Sequence, residues 1–302
     1  MQPRRRRWQP SRRPDVRVGR IPYVNCYPVY GAIDRGVVPL GGTLVTGVPS
    51  ALNRRMADGT LDISVVSAVE YARDARRYLL LPDLAISCDG PVRSVMLFSK
   101  RPAEELDGRR VIVSRSSMTS VALLELLFEH VWHAKPEFVA GDAEMSDIVG
   151  FDRDPHDARL VIGDAALVLR GEARHRMTAT PASGTMPSYP FAYDLGETWK
   201  SWTGLPFVFA VWVAQRTAPV AEALGIHATL ITSRNWGLEH RPELARQASE
   251  ATGVSEPVCL EYLSGLDYGL SYEHLAGLTE FFRRLVAAGR VPNGTLVFLP
   301  AA

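Results

Sequence analysis

The sequence predicts an α/β protein of two lobes, each a central sheet flanked by helices, with a ligand cleft between the lobes. Between residues 43 and 76, strand and helix patterns alternate twice in succession, which is typical of βαβ units. After a break at residues 100–102, a second set of strands begins. The continuously apolar stretch PFVFAVWV, residues 206–213, predicts a strand that is buried on both faces and returns the chain to the first lobe.

The composition fits a globular protein with one large or two medium domains. The chain has 302 residues and 46% of them are hydrophobic, so a substantial core is expected. Its 34 basic and 33 acidic side chains leave a net charge of +1, and much of the basic excess lies between Arg4 and Arg13. We therefore expect residues 1–15 to form a disordered basic tail, and we expect the folded body to bind no nucleic acid.

The sequence also predicts a cytoplasmic protein. No apolar run approaches the roughly 20 residues that span a bilayer, and no apolar segment follows the first arginines. The cysteines, Cys26, Cys88 and Cys259, are odd in number and far apart, as is usual in a reducing compartment. Cys26 has no histidine near it in the sequence, so we expect a buried thiol and not a nucleophile.

The first predicted strand, residues 18–23, leads directly into Asn25. Pro28 favours a turn or the start of a helix just beyond it. Asn25 therefore lies at the carboxyl end of a strand, where open α/β sheets bind their ligands. Its amide can donate and accept hydrogen bonds without carrying charge, but it could instead cap the following helix, and both interpretations are open.

Two further strands of this lobe carry a serine. Residues 61–66 form a buried strand that stops at Ser67, with a helix behind it. Residues 92–98 form another strand, with Ser94 within it. Each serine could donate a hydrogen bond to an anion, and each could instead serve only as a helix cap.

The second lobe repeats the pattern. A strand over residues 110–114 leads into RSSMTS and then into an apolar helix, and a strand over residues 160–162 ends in Gly163-Asp164. Unpaired N–H groups at helix starts favour negative charge, so two such lobes would enclose a small carboxylate-bearing molecule. With crossings near 98 and 207, lobe I would comprise residues 16–98 plus 208–302, and lobe II residues 99–207.

Two other candidate functions are disfavoured. His130 and His133 could face one way on a helix, but no residue at metal-ligand spacing completes a set, so no metal site is expected. Residues 244–264 superficially resemble a helix-turn-helix. Its second helix carries Glu256 and Glu261 and no basic residue, so we expect packing helices and no contact with DNA.

Four stretches of the chain together resemble one enzyme family. These stretches are GRIPYVN with Pro28; LDISVVS with Glu70-Tyr71; RSSMTS; and GDAAL followed later by YDLGETW and WTGLPFVFAVW. The family is that of the chorismate dehydratases of the futalosine route to menaquinone, whose members share a bilobal type II periplasmic-binding-protein-like fold. The resemblance covers nearly all of residues 16–292. Ala68 departs from it, since a second hydroxyl is expected after Ser67, so this lobe's share of the carboxylate contacts is open.

The resemblance implies that chorismate loses its ring hydroxyl as water and gives 3-(1-carboxyvinyloxy)benzoate, with no metal or organic cofactor. Asn25 would orient or polarise the substrate at the reacting carbon. The base would be either Asp164 or the substrate's own side-chain carboxylate, and we favour the substrate because the expected cleft is short of acidic groups and disfavours one beside a dianion. The residues expected to hold the carboxylates are Ser67, Ser94, Ser116, Thr119 and Ser120. The expected partner is a small molecule alone, and the chain is expected to be a monomer or homodimer.

Two alternatives belong to other classes of protein or enzyme. The first is a non-catalytic carboxylate-binding protein of the same fold, but an exported binding protein needs a signal and a regulator needs a DNA-binding module, and the sequence shows neither. The second is the related enzyme that acts on cyclic dehypoxanthine futalosine. That family has an N-terminal serine-proline-cysteine-proline-asparagine-aspartate motif, which is absent here.

Overall fold

A computed structural model of the chain describes residues 15–141, 154–170 and 189–300. The basic tail expected over residues 1–15 lies outside these ranges, apart from Asp15. The strands of the described part are β1 Arg17–Arg20, β2 Thr43–Thr46, β3 Ile63–Ser67, β4 Tyr78–Cys88, β5 Val95–Ser99, β6 Arg110–Ser114, β7 Glu137–Gly141, β8 Ala158–Ile162, β9 Phe191–Asp194 and β10 Phe207–Gln215.

The helices of the described part are α1 Tyr27–Asp34, α2 Pro49–Ala57, α3 Ala68–Arg73, α4 Met118–Leu127, α5 over 164–170, α6 Leu195–Thr203, α7 Val220–Glu239, α8 Arg241–Thr252, α9 Glu256–Ser264 and α10 Tyr272–Ala287. Short 3-10 turns span Val24–Cys26 and Ala103–Glu105, and one π turn spans Phe128–Trp132. Proline begins several of these helices, as at Pro28 in α1 and Pro49 in α2, because its missing N–H is not needed in a first turn.

The strands form two mixed sheets of five strands each. The first has the order β2-β1-β3-β10-β4, and the second has the order β7-β6-β8-β5-β9. In the first sheet, β10 runs antiparallel to both β3 and β4, so it separates the parallel strands β2, β1 and β3 from the edge strand β4. We refer to the first sheet with its helices as lobe I and to the second sheet with its helices as lobe II. The expected two-lobed α/β architecture is therefore present.

The chain crosses between the sheets at two places. The first crossing is residues 89–94, because β4 pairs in the first sheet and β5 pairs in the second. The expectation of a crossing near residue 98 was therefore too late in the chain. The apolar stretch 92–98 gave no indication of which sheet it would join. The second crossing, residues 204–206, lies next to the expected position near 207.

The strand predicted to be buried on both faces is β10. All nine of its residues are buried, and Trp212 is among the largest fully buried side chains. Its interior position between β3 and β4, covered on both faces, explains why its sequence shows no alternation of apolar and polar residues. The prediction of a strand that is buried on both faces is therefore confirmed.

Two glycines of α7 allow a matched test of how α1 and α7 pack. A Cβ on Gly237 would lie 2.2 Å from the carbonyl oxygen of Pro28, whereas a Cβ on Gly225 would meet no atom within 4 Å. We expect Gly237→Ala to lower the free energy of unfolding by about 2 kcal/mol or more through overpacking. We expect Gly225→Ala to raise it by about 0.5–1 kcal/mol, because alanine favours the helix. Urea unfolding measures both, and equal effects would contradict the close α1–α7 contact.

Candidate active site

A cleft between the two lobes holds several of the residues that the sequence singled out. The space outside protein atoms is about 610 Å³, and this figure includes open solvent at the mouth of the cleft. None of its described lining residues carries a charged side chain, and these residues are Ile21, Tyr23, Asn25, Pro49, Ser67, Ile86, Val92, Ser94, Val95, Ser117, Ser120, Ile162, Gly163, Phe209 and Ala210. The cleft thus combines an apolar wall with a few neutral hydrogen-bonding groups, as is typical of small-molecule sites.

Asn25 lies on the 3-10 turn that follows β1. Its neighbours Val24 and Cys26 are buried, and Asn25 lines the cleft. Its Oδ1 atom is buried and has no hydrogen-bond partner among the described residues. Neither the 3-10 turn nor α1 has a side-chain cap, so Asn25 is not a helix cap. A buried acceptor without a partner costs about 1–3 kcal/mol, and a ligand that donates a hydrogen bond would remove that cost.

Ser67 both caps a helix and lines the cleft. Its Oγ atom accepts hydrogen bonds from the backbone N–H of Glu70 at 3.3 Å and from Nδ2 of Asn53 at 3.0 Å. Because both acceptor positions are used, the hydroxyl proton remains to be donated. The two roles left open by the sequence are therefore compatible. Asn53 is 3% exposed and was not predicted from the sequence, although a polar residue on the apolar face of α2 was a signal.

Serines at the start of α4 form the opposite side of the cleft. Ser117 caps α4 by accepting the N–H of Ser120 at 3.2 Å, and both residues line the cleft. Thr119 was expected to hold a carboxylate, but its hydroxyl accepts the N–H of Val69 from lobe I at 3.1 Å. Thr119 and Ser116 are not among the lining residues. Thr119 therefore contacts the other lobe, because the first helical turn aims successive side chains in different directions.

Asp164 lies at the start of α5 and does not line the cleft. Its Oδ1 atom accepts the backbone N–H of Val24, in the turn that carries Asn25, at 3.1 Å. The neighbouring Gly163 has a φ of +62°, and a Cβ there would lie 3.2 Å from the ring of Tyr23. This corner of lobe II thus packs directly on the Asn25 turn of lobe I. Of the seven expected site residues, the structure brings four together at the cleft: Asn25, Ser67, Ser94 and Ser120.

Ser94 lies in the first crossing, just before β5, and two partners hold this segment. The carboxylate of Asp194 accepts the N–H of Val92 at 3.0 Å and that of Arg93 at 2.7 Å. The same carboxylate caps α6 by accepting two further N–H groups. The hydroxyl of Tyr262 donates to Oγ of Ser94 at 2.9 Å. Neither Asp194 nor Tyr262 was predicted as a functional residue, because each reaches the crossing from a distant part of the sequence.

The remaining candidates have structural roles in the described part of the chain. His130 stacks on Trp202, and no group of three metal-binding side chains occurs among the described residues. The helix that superficially resembled a recognition helix is α9, and it buries Cys259, Tyr262 and Leu263. The expectation of packing helices is therefore confirmed. Among the described helices, none has the length and apolar character needed to cross a membrane.

Cys26 is buried beside the site, and burial raises its pKa from 9.0 to about 12. It stays a neutral thiol at ordinary pH, which does not suit a nucleophile.

This shift predicts how stability depends on pH. Above pH 9 the unfolded chain loses the thiol proton of Cys26, whereas the folded chain keeps it up to about pH 12. The stabilisation is therefore complete below pH 9 and is lost as the pH rises toward 12. Between pH 9 and 10 we expect the free energy of unfolding to fall by about 1 kcal/mol more for the unmodified protein than for Cys26→Ala, because the thiol of the unfolded chain is half ionised at pH 9. Equal slopes in urea titrations would contradict the neutral buried thiol.

A larger groove lies away from the cleft, between α3, α10 and residues 291–296. It contains about 1090 Å³ of space, and Tyr71 and Phe282 are among its lining residues. None of its lining residues has a buried polar atom that lacks a partner. The unpaired Oδ1 of Asn25 therefore distinguishes the cleft between the lobes as the candidate site.

Sequence comparison relates this chain to known proteins over most of its length. The family model described as menaquinone biosynthesis matches residues 16–287. A chorismate dehydratase of Thermus thermophilus is 32% identical over 272 residues, which cover 87% of this chain and 95% of that enzyme. A chorismate dehydratase of Campylobacter jejuni is 27% identical over 197 residues, or 64% of each protein.

Solved structures share the fold. A protein of Archaeoglobus fulgidus superposes with a TM-score of 0.73 at 19% identity, covering 92% of this chain and 98% of that protein. The periplasmic aliphatic sulphonate-binding protein SsuA of Escherichia coli superposes with a TM-score of 0.59 at 13% identity, covering 95% and 96%. At these identities the similarity establishes the periplasmic-binding-protein-like fold and not the ligand.

Proposed function

The chain belongs to the menaquinone biosynthesis family, and from this we propose that it is a chorismate dehydratase that forms 3-(1-carboxyvinyloxy)benzoate. The observation that carries the proposal from the structure is the buried Oδ1 of Asn25, which has no partner among the described residues, in a cleft whose described lining residues are uncharged and include serines. The two curated relatives named above bear the same enzyme name. The reaction would make this protein a carbon–oxygen lyase.

The chemistry requires one proton transfer and one departure of water. The ring hydrogen beside the enolpyruvyl ether leaves as a proton, and the electron pair of its C–H bond spreads onto the ring carboxylate through the conjugated double bond. The neighbouring ring hydroxyl then leaves with a proton as water, and the ring becomes aromatic. Positioning of two carboxylates and solvation of the spreading charge can therefore supply most of the catalysis.

The described cleft offers suitable groups for both tasks. Ser67 has a hydroxyl proton to donate, and Ser117 and Ser120 lie at the N-terminus of α4, where the helix dipole favours negative charge. In the proposed mechanism these groups and Ser94 hold the two carboxylates. Asn25 lies between the lobes, and its Oδ1 atom accepts the hydrogen bond of the ring hydroxyl or of the water that forms from it.

We assign the base to the substrate's own side-chain carboxylate. The alternative base, Asp164, does not line the cleft, and its Oδ1 accepts the N–H of Val24. In this assignment Asp164 positions the turn that carries Asn25, and it takes no proton from the substrate.

Two substitutions of Asp164 test this assignment. We expect Asp164→Asn to keep turnover within about threefold, because an amide oxygen can still accept the N–H of Val24. We expect Asp164→Ala to lower turnover by about tenfold, because the Asn25 turn loses its partner in lobe II. Steady-state rates on chorismate measure both variants. A loss of several orders of magnitude in Asp164→Asn would identify Asp164 as the base.

The direct test of the proposed function is incubation of the purified protein with chorismate, without added metal or cofactor. The expected result is loss of one water, which ultraviolet absorbance and the mass of the product would both detect. Unchanged chorismate with saturable binding in calorimetry would instead indicate a carboxylate-binding protein. Absence of both turnover and binding would contradict chorismate as the ligand.

The proposal also includes location and assembly. We place the enzyme in the cytoplasm as a monomer or homodimer, and its three buried free thiols support a reducing compartment. Cell fractionation and light scattering of the purified protein test these two points.

A further inference from the structure

Tyr262 lies outside the cleft but contacts one of its lining residues, Ser94. It lies on α9, its side chain is fully buried, and it is not a lining residue. Its hydroxyl is 2.9 Å from Oγ of Ser94, which is 2% exposed and does line the cleft. Burial raises the pKa of Tyr262, so the hydroxyl keeps its proton. A buried hydroxyl proton needs an acceptor, and Ser94 Oγ is the one that the described residues give it.

The direction of this hydrogen bond determines what Ser94 can do. Since Tyr262 donates, Ser94 Oγ acts as the acceptor and its own proton must point elsewhere. The protein acceptor for that proton is the carbonyl oxygen of Val92 at 3.5 Å, which is at the outer limit for a hydrogen bond. Ser94 therefore has a proton that the described residues satisfy poorly, and Ser94 lines the cleft.

The backbone at Ser94 is held without help from Tyr262. Its carbonyl oxygen accepts the N–H of Gly163 at 2.8 Å, and the two preceding N–H groups are bound by Asp194. An ion pair between Arg93 and Glu261, at 3.1 Å, ties the crossing to α9 beside Tyr262. Removal of the Tyr262 hydroxyl should thus change the hydrogen-bond role of Ser94 while leaving its position unchanged.

We propose that Tyr262 is a positioning residue that makes the Ser94 hydroxyl a hydrogen-bond donor to a carboxylate of the bound substrate. This inference rests on the proposed function, because it assigns a partner within that same cleft. The carboxylate already carries its full negative charge in the bound substrate, so most of this interaction is made before the transition state and contributes to binding in both states. Its loss therefore raises KM and leaves kcat nearly unchanged.

A double-mutant cycle tests the proposal with chorismate as the substrate. We expect Ser94→Ala to raise KM by about tenfold and Tyr262→Phe to raise it by about three- to tenfold, each with kcat within about twofold. In the double variant we expect no increase beyond that of Ser94→Ala, because Tyr262 acts through Ser94.

Tyr71→Phe is the matched control for the loss of a buried tyrosine hydroxyl. The Tyr71 hydroxyl bonds to Thr295 and Val297 and does not line the cleft, so KM should stay unchanged while the thermal midpoint falls. A KM of Tyr262→Phe that equals the unmodified value, or effects that multiply in the double variant, would overturn the proposal. Failure of the unmodified protein to turn over chorismate would instead contradict the proposed function, and with it the donor role toward this substrate.

Discussion

The Asn25→Ala variant is expected to lose turnover and gain stability at the same time. In the proposed mechanism Oδ1 of Asn25 orients the ring hydroxyl that leaves, so we expect kcat on chorismate to fall by about 100-fold when this positioning is lost. In the free protein the same atom is buried without a partner. Its removal should therefore raise the free energy of unfolding by about 1 kcal/mol.

Steady-state kinetics and urea unfolding measure the two effects on the same preparation. The matched control is Asn293→Ala, since Asn293 is exposed and lies outside the cleft, and both quantities should stay unchanged. A fall in stability that accompanies the fall in turnover would show that Asn25 supports the fold, and it would contradict an unpaired acceptor reserved for the substrate.

Asp194→Ala is expected to have the largest effect on stability. The Asp194 carboxylate is 7% exposed and accepts backbone N–H groups from Val92, Arg93, Gly196 and Glu197. Alanine leaves these donors unpaired, and hydrogen bonds to a charged group contribute about 1.5–3 kcal/mol each. We expect the free energy of unfolding to fall by about 3 kcal/mol or more. Because the same change frees the crossing that carries Ser94, we also expect a rise in KM.

Two control variants separate the helix cap from the crossing. Ser271→Ala removes the cap of α10, which lies far along the chain from the crossing, and should cost about 1 kcal/mol with KM unchanged. Asp194→Asn keeps one oxygen that can accept three of the N–H groups, but it loses the carboxylate oxygen that accepts the N–H of Arg93. Its stability should lie between those of the unmodified and alanine variants. If Asp194→Ala lowered the free energy of unfolding no more than Ser271→Ala, Asp194 would act only as a helix cap.

The parts of the fold that depend on local pattern were predictable from the sequence. The uniformly apolar PFVFAVWV indicated a strand buried on both faces, and polar residues at or just after strand ends indicated the cleft that Asn25, Ser67 and Ser120 line. Both predictions depend on which residues are buried, and the local pattern of apolar and polar residues indicates this.

Other features depend on partners that are distant in sequence. Asn53, Asp194 and Tyr262 each bond to a residue that another element brings near, and no local pattern indicates such a pairing. Thr119 differs from Ser120 by one position, yet it bonds to Val69 in lobe I, because a rotation of about 100° per residue in a helix separates the two side chains. Similarly, hydrophobicity could not place the first crossing, since strands of either sheet are equally apolar.

The described lining residues of the cleft are uncharged, and this has a consequence for the basicity of the substrate. A lysine or arginine among the described lining residues would bind a dianion strongly, but it would also lower the proton affinity of the carboxylate that it paired with. Neutral hydroxyls hold a carboxylate through weaker interactions and lower its proton affinity less. In a site where the substrate removes its own proton, the absence of cations among the described lining residues therefore keeps the substrate a stronger base, at the expense of tighter binding.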